Sequence, residues 1–210
     1  MVVSIAGDGP EAATHELERC IAAGGVALFP ADTLYGLACD PLRGDAVERI
    51  HALKGRDEGK PSAVMFFAPL AMREILSTLG PRTREALGAL LPGPVTTVVA
   101  NPEHRYPLAC PEDPERLGLR LIEGQLAGAR CALFQTSANS SGEPAPSRFE
   151  DVDPWLIAEV GLAIDGGELV GEPSTVVDLT ALDDGGAWEV LREGALSRAD
   201  LDARLGLALG

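Results

Sequence analysis

Residues 26–37 have the sequence VALFPADTLYGL, in which a short apolar run is followed at once by a polar segment. The apolar residues 26–29 come directly after Gly24 and Gly25, a pattern that predicts a short buried strand. Residues 30–36 then predict a loop that carries Asp and Thr side chains. A loop at the end of a buried strand is a usual place for ligand contacts in an open α/β sheet. Taken alone, the same residues also fit a simple capped turn.

The rest of the chain alternates between helical and strand patterns, which predicts one α/β domain over residues 1–210. The predicted helices cover residues 11–23, 45–53 with Asp45 as N-cap, 70–79, 83–91, a short stretch between 121 and 132, 154–159, and a C-terminal segment capped by Ser197. The predicted strands cover residues 26–29, 62–67, 95–100, 117–121, 132–134, 162–164, 175–179 and 188–191. We therefore expect a twisted, mixed, open sheet flanked by helices, with long loops at 101–116 and 137–147.

The chain is strongly acidic, because its 210 residues include 32 acidic and 17 basic side chains, a formal net charge of -15. Phosphates would be repelled by most of this surface, which argues against nonspecific binding to nucleic acid or anionic membranes. The sequence has no apolar run of the roughly 20 residues that a membrane helix needs, and it begins without a signal-peptide pattern. We expect a cytoplasmic globular protein with no membrane partner.

The two lysines, Lys54 and Lys60, lie within seven residues of each other, although 15 arginines are spread over the chain. Residues 43–60 hold five cations and four anions, a net charge of +1, whereas the remaining residues hold 12 cations and 28 anions. An anionic ligand is therefore first expected at residues 43–60. Lysines after a helix also complement its dipole and remain solvated, so the pattern leaves that structural alternative open.

Several classes of active site are excluded by the absence of their motifs. The four cysteines and three histidines are dispersed, without CxxC or HExxH spacing, so no metal site built from protein ligands is predicted. There is no GxSxG, and no GxGxxG follows a predicted strand. Residues 55–61, GRDEGKP, are not a Walker A loop, because only three residues separate the glycines and Pro61 replaces the required Ser or Thr.

Four further polar clusters follow predicted strands or helices. They are residues 54–56 with Lys60, 136–142 (TSANSSG), 173–178 (PSTVVD) and 191–194 (LREG). Arg120 is different, because it lies inside the apolar segment 117–121, where a buried guanidinium needs a carboxylate or an anionic ligand. Each cluster alone also fits a turn or a surface ion pair.

The order of these clusters is more specific than any one of them. Taken together they resemble the YrdC/YciO-like family, whose pattern runs PTxTxYGL, KxR, PGPxT, GxR, SxN, STVVD and LRxG. The matching residues here are 30–37, 54–56, 92–96, 118–120, 137–139, 174–178 and 191–194. The resemblance covers about residues 22–194 and is strongest to the short, single-domain L-threonylcarbamoyladenylate synthases, which implies the YrdC-like α/β twist over residues 1–210.

The resemblance implies a reaction of L-threonine, bicarbonate and ATP, assisted by Mg²⁺, that yields threonylcarbamoyl-AMP and pyrophosphate. The implied nucleotide contacts are Lys54, Arg56, Ser137, Asn139 and Arg192, with Lys54 and Arg56 as catalytic residues. The implied contacts to threonine or its carbamate are Thr33, Arg120 and Ser174. We add Lys60 to the nucleotide contacts from its charge and spacing. The implied partners are downstream proteins that transfer threonylcarbamoyl to tRNA, and weak contact with RNA is left open.

The sequence also departs from the family pattern. Ala31 replaces a Thr, which predicts the loss of one hydroxyl near the amino-acid pocket, and Leu121 replaces a Pro after Arg120. The additional C-terminal domain of the longer synthases is not expected. Three alternatives are a YciO-like paralogue without efficient adenylate synthesis, a noncatalytic double-stranded RNA-binding module, and a carbamoyl-transfer domain. The intact Ser137-x-Asn139 argues against the first and the charge of -15 against the second.

Overall fold

A computed structural model describes residues 1–55, 59–140 and 142–210. The strands are β1 Val2–Ser4, β2 Ala27–Pro30, β3 Tyr35–Cys39, β4 Ala63–Phe66, β5 Val95–Ala100, β6 Arg116–Leu121, β7 Leu133–Ser137, β8 Leu162–Asp165, β9 Thr175–Asp178 and β10 Glu189–Arg192. The helices are α1 Ile5–Asp8, α2 Pro10–Ala22, α3 Gly44–Lys54, α4 Arg73–Leu76, α5 Pro81–Leu90, α6 Pro154–Glu159 and α7 Arg198–Leu209.

The ten strands form one mixed sheet in the order β1-β8-β2-β3-β7-β4-β6-β5-β9-β10. The pairs β1/β8, β2/β8, β4/β6 and β5/β9 are parallel, and the remaining pairs are antiparallel. β10 lies at one end of this order, and its pairing with β9 shifts register between Val190 and Arg192. The predicted mixed α/β sheet is therefore confirmed.

The polar loop that follows β2 is shorter than the sequence pattern predicts. The prediction of a loop as far as Gly36 is wrong, because β3 begins at Tyr35 and pairs antiparallel with β2 from Pro30↔Tyr35 to Ala27↔Ala38. The amide of Ala31 donates to the carbonyl of Leu34 at 3.1 Å, which closes the turn. All five residues of β3 are buried, so the segment shows none of the polar alternation that marks a half-exposed strand.

The two faces of the sheet are covered differently. One face packs a large apolar cluster against α3, α5 and α7, and β2 contributes Leu28 to it. The opposite face packs a smaller cluster that includes Phe29 of β2 and Leu17 of α2. Successive residues of a strand point to opposite faces, so neighbouring β2 residues join different clusters. The smaller cluster reaches only part of its face, and the other part is lined by a mixture of polar and apolar residues.

Several helix predictions are confirmed. α6 has the predicted bounds, and Ser197 caps α7 by accepting from the amide of Asp200. Others are wrong. The N-cap of α3 is Arg43 rather than Asp45, whose carboxylate lies in the first helical turn, where it complements the helix dipole and pairs with Arg43.

Two other segments are less helical than predicted. Between β6 and β7 the chain makes consecutive turns instead of a helix, with the amide of Ala127 donating to Gly124 and that of Ala129 to Leu126. The predicted helix at 70–79 is a 3₁₀ turn, Pro69–Met72, followed by the short α4. Among the residues described, every helix is too short or too polar to cross a bilayer.

We expect Leu201→Ala in α7 to lower the free energy of unfolding by about 3 kcal/mol, because it removes buried apolar volume and leaves a cavity. Leu201 is fully buried in the large cluster, whereas Leu207 on the same helix is exposed. Leu207→Ala is the matched control and should change the stability by less than about 0.5 kcal/mol. Urea denaturation measures both; equal losses would contradict the docking of α7.

Candidate active site

The part of the sheet that α2 leaves uncovered forms the floor of a cleft of about 890 Å³. Alternate residues of five strands line it, among them Ala63, Thr96, Gly118, Gln135 and Val176. Their sequence neighbours, such as Val64, Leu117, Leu119, Phe134 and Val177, face the large apolar cluster. Because successive residues of a strand point to opposite faces, one set of residues faces the core and the other faces the cleft.

Six of the predicted site residues line this cleft: Thr33, Arg120, Ser137, Asn139, Ser174 and Arg192. They come from five separate segments of the chain, and the sheet brings them together. The lining formed by the described residues does not include Lys54 or Lys60. Arg56 lies outside the described residues.

Arg120 is the most deeply buried cation of the cleft, with only 4% of its surface exposed. Its Nη2 donates to Oδ1 of Asp32 at 2.5 Å, and its Nη1 donates to Oε1 of Gln135 at 3.3 Å. Its Nε is buried and has no hydrogen-bond partner within the described part of the chain. Asp32 thus offsets the buried charge of Arg120, while the Nε–H group has no acceptor among the described residues.

Asp32 connects this arginine to the loop after β2. The same Oδ1 that accepts from Arg120 also accepts from the amide of Thr33 at 2.7 Å. Burial raises the pKa of the Asp32 carboxyl, and the neighbouring Arg120 opposes that rise. The backbone of Asp32 has φ of 104°, a conformation that L-residues rarely adopt. The described cleft lining includes Thr33 and Arg120 but not Asp32.

Arg192 forms the second cationic group of the cleft. Its Nη2 donates to the carbonyl of Ser174 at 2.7 Å and to the Ser174 hydroxyl at 3.3 Å. That hydroxyl also lies 2.9 Å from Oγ1 of Thr96, so three strands meet at Ser174. Burial lowers the pKa of the Arg192 guanidinium, and repulsion from Arg120 lowers it further. Two cations that repel each other favour an anion between them.

The glycine of the LRxG block explains how Arg192 reaches Ser174. A Cβ on Gly194 would lie 2.1 Å from the carbonyl oxygen of Pro173 and 2.8 Å from the backbone of Ser174. The next amide, that of Ala195, donates to the same Pro173 carbonyl at 2.8 Å. The two segments therefore pack backbone to backbone, which only glycine allows.

Lys54 lies behind the Ser137–Asn139 turn. Its ammonium group is buried and donates to the carbonyl of Ser137, to the carbonyl of Asn139 at 2.6 Å and to Oδ1 of Asn139 at 3.1 Å. Lys54 thereby holds the turn that carries Ser137 and Asn139 into the cleft. Lys60 is exposed, and its contact with a nucleotide stays a prediction.

Three residues that the sequence motifs do not assign to the site also shape the cleft. The sequence places Asp32 only in a polar loop, and the signal for Gln135 is a single amide directly after the apolar run 132–134. Tyr35 bridges the loop after β8, since its hydroxyl donates to Gly167 and accepts from the amide of Gly166. Burial raises the pKa of Tyr35 to about 12, so its hydroxyl remains protonated and can donate.

The two departures from the family pattern do not alter the cleft lining that is described. Ala31 is buried in the smaller apolar cluster with Phe29 and Ile122. A hydroxyl at that position would therefore face apolar side chains, and the predicted loss from the amino-acid pocket is not seen in the lining. Leu121 packs in the large cluster and stays paired with Phe66, so β6 continues past Arg120.

Carboxylates of the described residues are the protein groups that could contact a metal ion in the cleft. Glu112, Asp113 and Glu143 line the cleft. Within residues 1–55, 59–140 and 142–210, no group of three or more His, Cys, Asp or Glu side chains could hold an ion. This donor set suits an ion bound mainly by a ligand's own oxygens rather than a cage built by the protein.

Comparison with known proteins places this site in a family. The family model described as Sua5_yciO_yrdC, telomere recombination, matches residues 19–194. The chain belongs to the Sua5/YciO/YrdC family. The match spans every polar cluster that lines the cleft, which confirms the resemblance found in the sequence.

Two curated relatives of this chain are named threonylcarbamoyl-AMP synthase. A threonylcarbamoyl-AMP synthase from Thiobacillus denitrificans is 32% identical over 80% of this chain and 92% of its own length. A threonylcarbamoyl-AMP synthase from Rattus norvegicus is 34% identical over 86% of this chain and 68% of its own length.

Solved structures of this family share the fold. Pyrococcus abyssi Sua5, complexed with L-threonine, matches 98% of this chain with a TM-score of 0.76 and 24% identity. Escherichia coli YciO matches 93% of this chain with a TM-score of 0.74 and 23% identity. This chain spans 61% of the P. abyssi chain and 95% of the YciO chain.

We expect Gly194→Ala to lower the free energy of unfolding by about 1–3 kcal/mol, because the new methyl group collides with backbone atoms that cannot rotate away. Gly88→Ala is the control, since its Cβ would meet nothing within 4 Å and it lies inside α5. That change should raise the stability by up to about 1 kcal/mol. Similar denaturation midpoints for the two variants would contradict the close approach at Gly194.

Proposed function

We propose that this chain is an L-threonylcarbamoyladenylate synthase that acts through a single YrdC-like domain of residues 1–210. The observation that carries the proposal is the convergence of Arg120, Arg192, Thr33, Ser174 and the Ser137–Asn139 turn on one cleft. Two further findings support the proposal: the chain belongs to this family, and relatives of it are named threonylcarbamoyl-AMP synthases. The cleft offers the groups that adenylate synthesis needs.

The proposed reaction joins three substrates without a covalent enzyme intermediate. L-Threonine and bicarbonate first form the carbamate of threonine with loss of water. A carbamate oxygen then bonds to the α-phosphorus of ATP while the bond from that phosphorus to pyrophosphate breaks. The substrate supplies its own nucleophile, so the protein has to align two anions and offset their repulsion. A cleft rich in arginines, hydroxyls and amides suits that task.

The geometry supports a division of the cleft into two sides. Thr33, Arg120 and Ser174 would bind threonine and its carbamate. Ser137, Asn139 and Arg192 would bind the nucleotide, with Lys60 predicted to contact it and Lys54 holding the Ser137–Asn139 turn. Arg56, which the resemblance also assigns to the nucleotide, lies outside the described residues. Because Arg192 donates to Ser174, the two sides meet at this contact. The carbamate and the α-phosphate would therefore meet between Arg120 and Arg192, where an added anion relieves the repulsion of the two cations.

ATP would bring Mg²⁺ into the cleft. The ion supplies neutralisation of the charge on the phosphates. The protein groups able to contact it are the cleft carboxylates Glu112, Asp113 and Glu143, and a Mg²⁺ ion bound to phosphates needs only one or two of them. Transfer of the product to tRNA by downstream proteins, a cytoplasmic location and weak contact with RNA stay predictions.

The proposed function is tested by measuring pyrophosphate release with L-threonine, bicarbonate and ATP, omitting each substrate in turn. We expect release only when all three are present, because the nucleophile is built from threonine and bicarbonate. Release that continues without threonine or without bicarbonate would overturn the assignment. RNA binding that weakens steeply with salt, with no turnover of ATP, would instead support a noncatalytic RNA-binding module.

We expect Lys54→Ala to reduce pyrophosphate release by about 100-fold or more while the protein remains folded. The lost ammonium group leaves the Ser137 and Asn139 carbonyls without their donor, so the turn that faces the nucleotide loses its geometry. Circular dichroism checks the fold, and Arg82→Ala, an exposed cation on α5, is the control. Wild-type turnover in folded Lys54→Ala would contradict this role.

A further inference from the structure

Asp32 combines two features that each need an explanation. Its backbone has φ of 104°, which costs on the order of 1–3 kcal/mol for a residue other than glycine and persists only where the surroundings enforce it. Its carboxylate is largely buried although it does not belong to the described cleft lining. A strained, buried carboxylate next to a ligand cleft points to a role in the site rather than in the core.

The contacts of Asp32 run to two groups that do line the cleft. One carboxylate oxygen, Oδ1, accepts from the Thr33 amide at 2.7 Å and from Nη2 of Arg120 at 2.5 Å. Asp32 therefore fixes Arg120 relative to the loop that carries Thr33. Asp32 and Arg120 are separated by 88 positions in sequence, so their contact joins two distant segments of the site.

The rest of the Arg120 environment leaves its orientation dependent on Asp32. Gln135 is the second acceptor, at the longer distance of 3.3 Å. Gly36 leaves room for the Gln135 amide beside β3, since a Cβ there would lie 2.9 Å from Nε2 of Gln135. Arg192, which lines the same cleft, repels Arg120. Without the Asp32 charge, Arg120 would be a buried cation held by one amide oxygen and pushed by a second cation.

We infer that Asp32 is a positioning residue for the amino-acid substrate: its carboxylate holds Arg120 in the orientation that binds the substrate's carboxylate, while Asp32 does not touch the substrate itself. The inference rests on the proposed function, because it takes the amino acid as the ligand of Arg120. Asp32 binds one side of the guanidinium and offsets its charge, so that Arg120 and Arg192 can lie in one cleft.

Two substitutions separate the charge from the backbone conformation. Asp32→Asn keeps an oxygen acceptor and tolerates positive φ, but removes the charge. Asp32→Gly accepts positive φ without strain and removes the acceptor altogether. We expect KM for threonine to rise about 10- to 100-fold in Asp32→Gly and by a smaller factor in Asp32→Asn. KM for ATP should change by less than about twofold in both, since the contact acts on the amino-acid side.

The decisive experiment is a double-mutant cycle with Arg120→Met, read out as KM for threonine in the pyrophosphate assay. If Asp32 acts through Arg120, adding Asp32→Gly to Arg120→Met causes no further rise in KM. Independent effects of the two changes would overturn the inference, as would equal rises in the KM values for threonine and ATP. Asp202→Asn, which removes an exposed carboxylate on α7, is the control and should match the wild-type protein.

The thermal midpoint of every variant is measured alongside. A merely structural role would lower the midpoint of Asp32→Gly without a selective change in KM for threonine, and that result would also overturn the inference. A wild-type protein that releases no pyrophosphate would contradict the proposed function instead. An active wild-type protein with an unchanged KM in Asp32→Gly would contradict only the role of Asp32.

Discussion

A single buried positive charge, that of Arg120, sets the main constraint on this structure. The side chain extends from a strand in the interior of the sheet, where a guanidinium cannot stay without compensation. The compensation comes from the turn after β2, which must adopt a strained backbone at Asp32 to supply it. The turn between β2 and β3, the position of Thr33 and the glycine at position 36 are all consistent with this one requirement.

The cleft itself follows from uneven coverage of the sheet. On one face α3, α5 and α7 bury a continuous apolar layer. On the other, α2 covers the strands nearest β8 and leaves those around β6 and β9 without a helix above them. Small or polar residues at alternate positions of those strands form the floor of the cleft and leave it accessible to water. Their sequence neighbours point to the other face and pack in the core. One set of strands thus serves stability on one side and ligand binding on the other.

The sequence predicted the elements whose signals are local. β5 has its predicted bounds because a β-branched run follows a Pro-Gly-Pro break, and α6 because Asp153 and Pro154 define its start. β3 was missed because burial on both faces removes the alternation that identifies a strand. The predicted helix between β6 and β7 was wrong, and the segment is held by local turns.

In the candidate site too, the residues that the sequence predicts are those with a local signal. The ordered motifs contain the six predicted residues that line the cleft, because each motif is a local pattern. The roles of Asp32 and Gln135 could not be predicted, since they depend on the path of the Arg120 side chain across β4 toward β7. Lys54 was expected at the nucleotide, and its contacts with the Ser137–Asn139 turn depend on a fold that brings together residues 83 and 85 positions apart.

The position of β10 gives the two cations of the cleft unequal mechanical support. Arg120 is carried by β6, which is hydrogen-bonded to a strand on either side. Arg192 is carried by the last strand in the order, whose ladder with β9 loses register just before it. Displacing Arg120 would require two ladders to separate, whereas β10 can detach by fraying while the remaining sheet stays closed. The wall of the cleft near Arg192 is therefore the more flexible side, and the wall near Arg120 is the more rigid one.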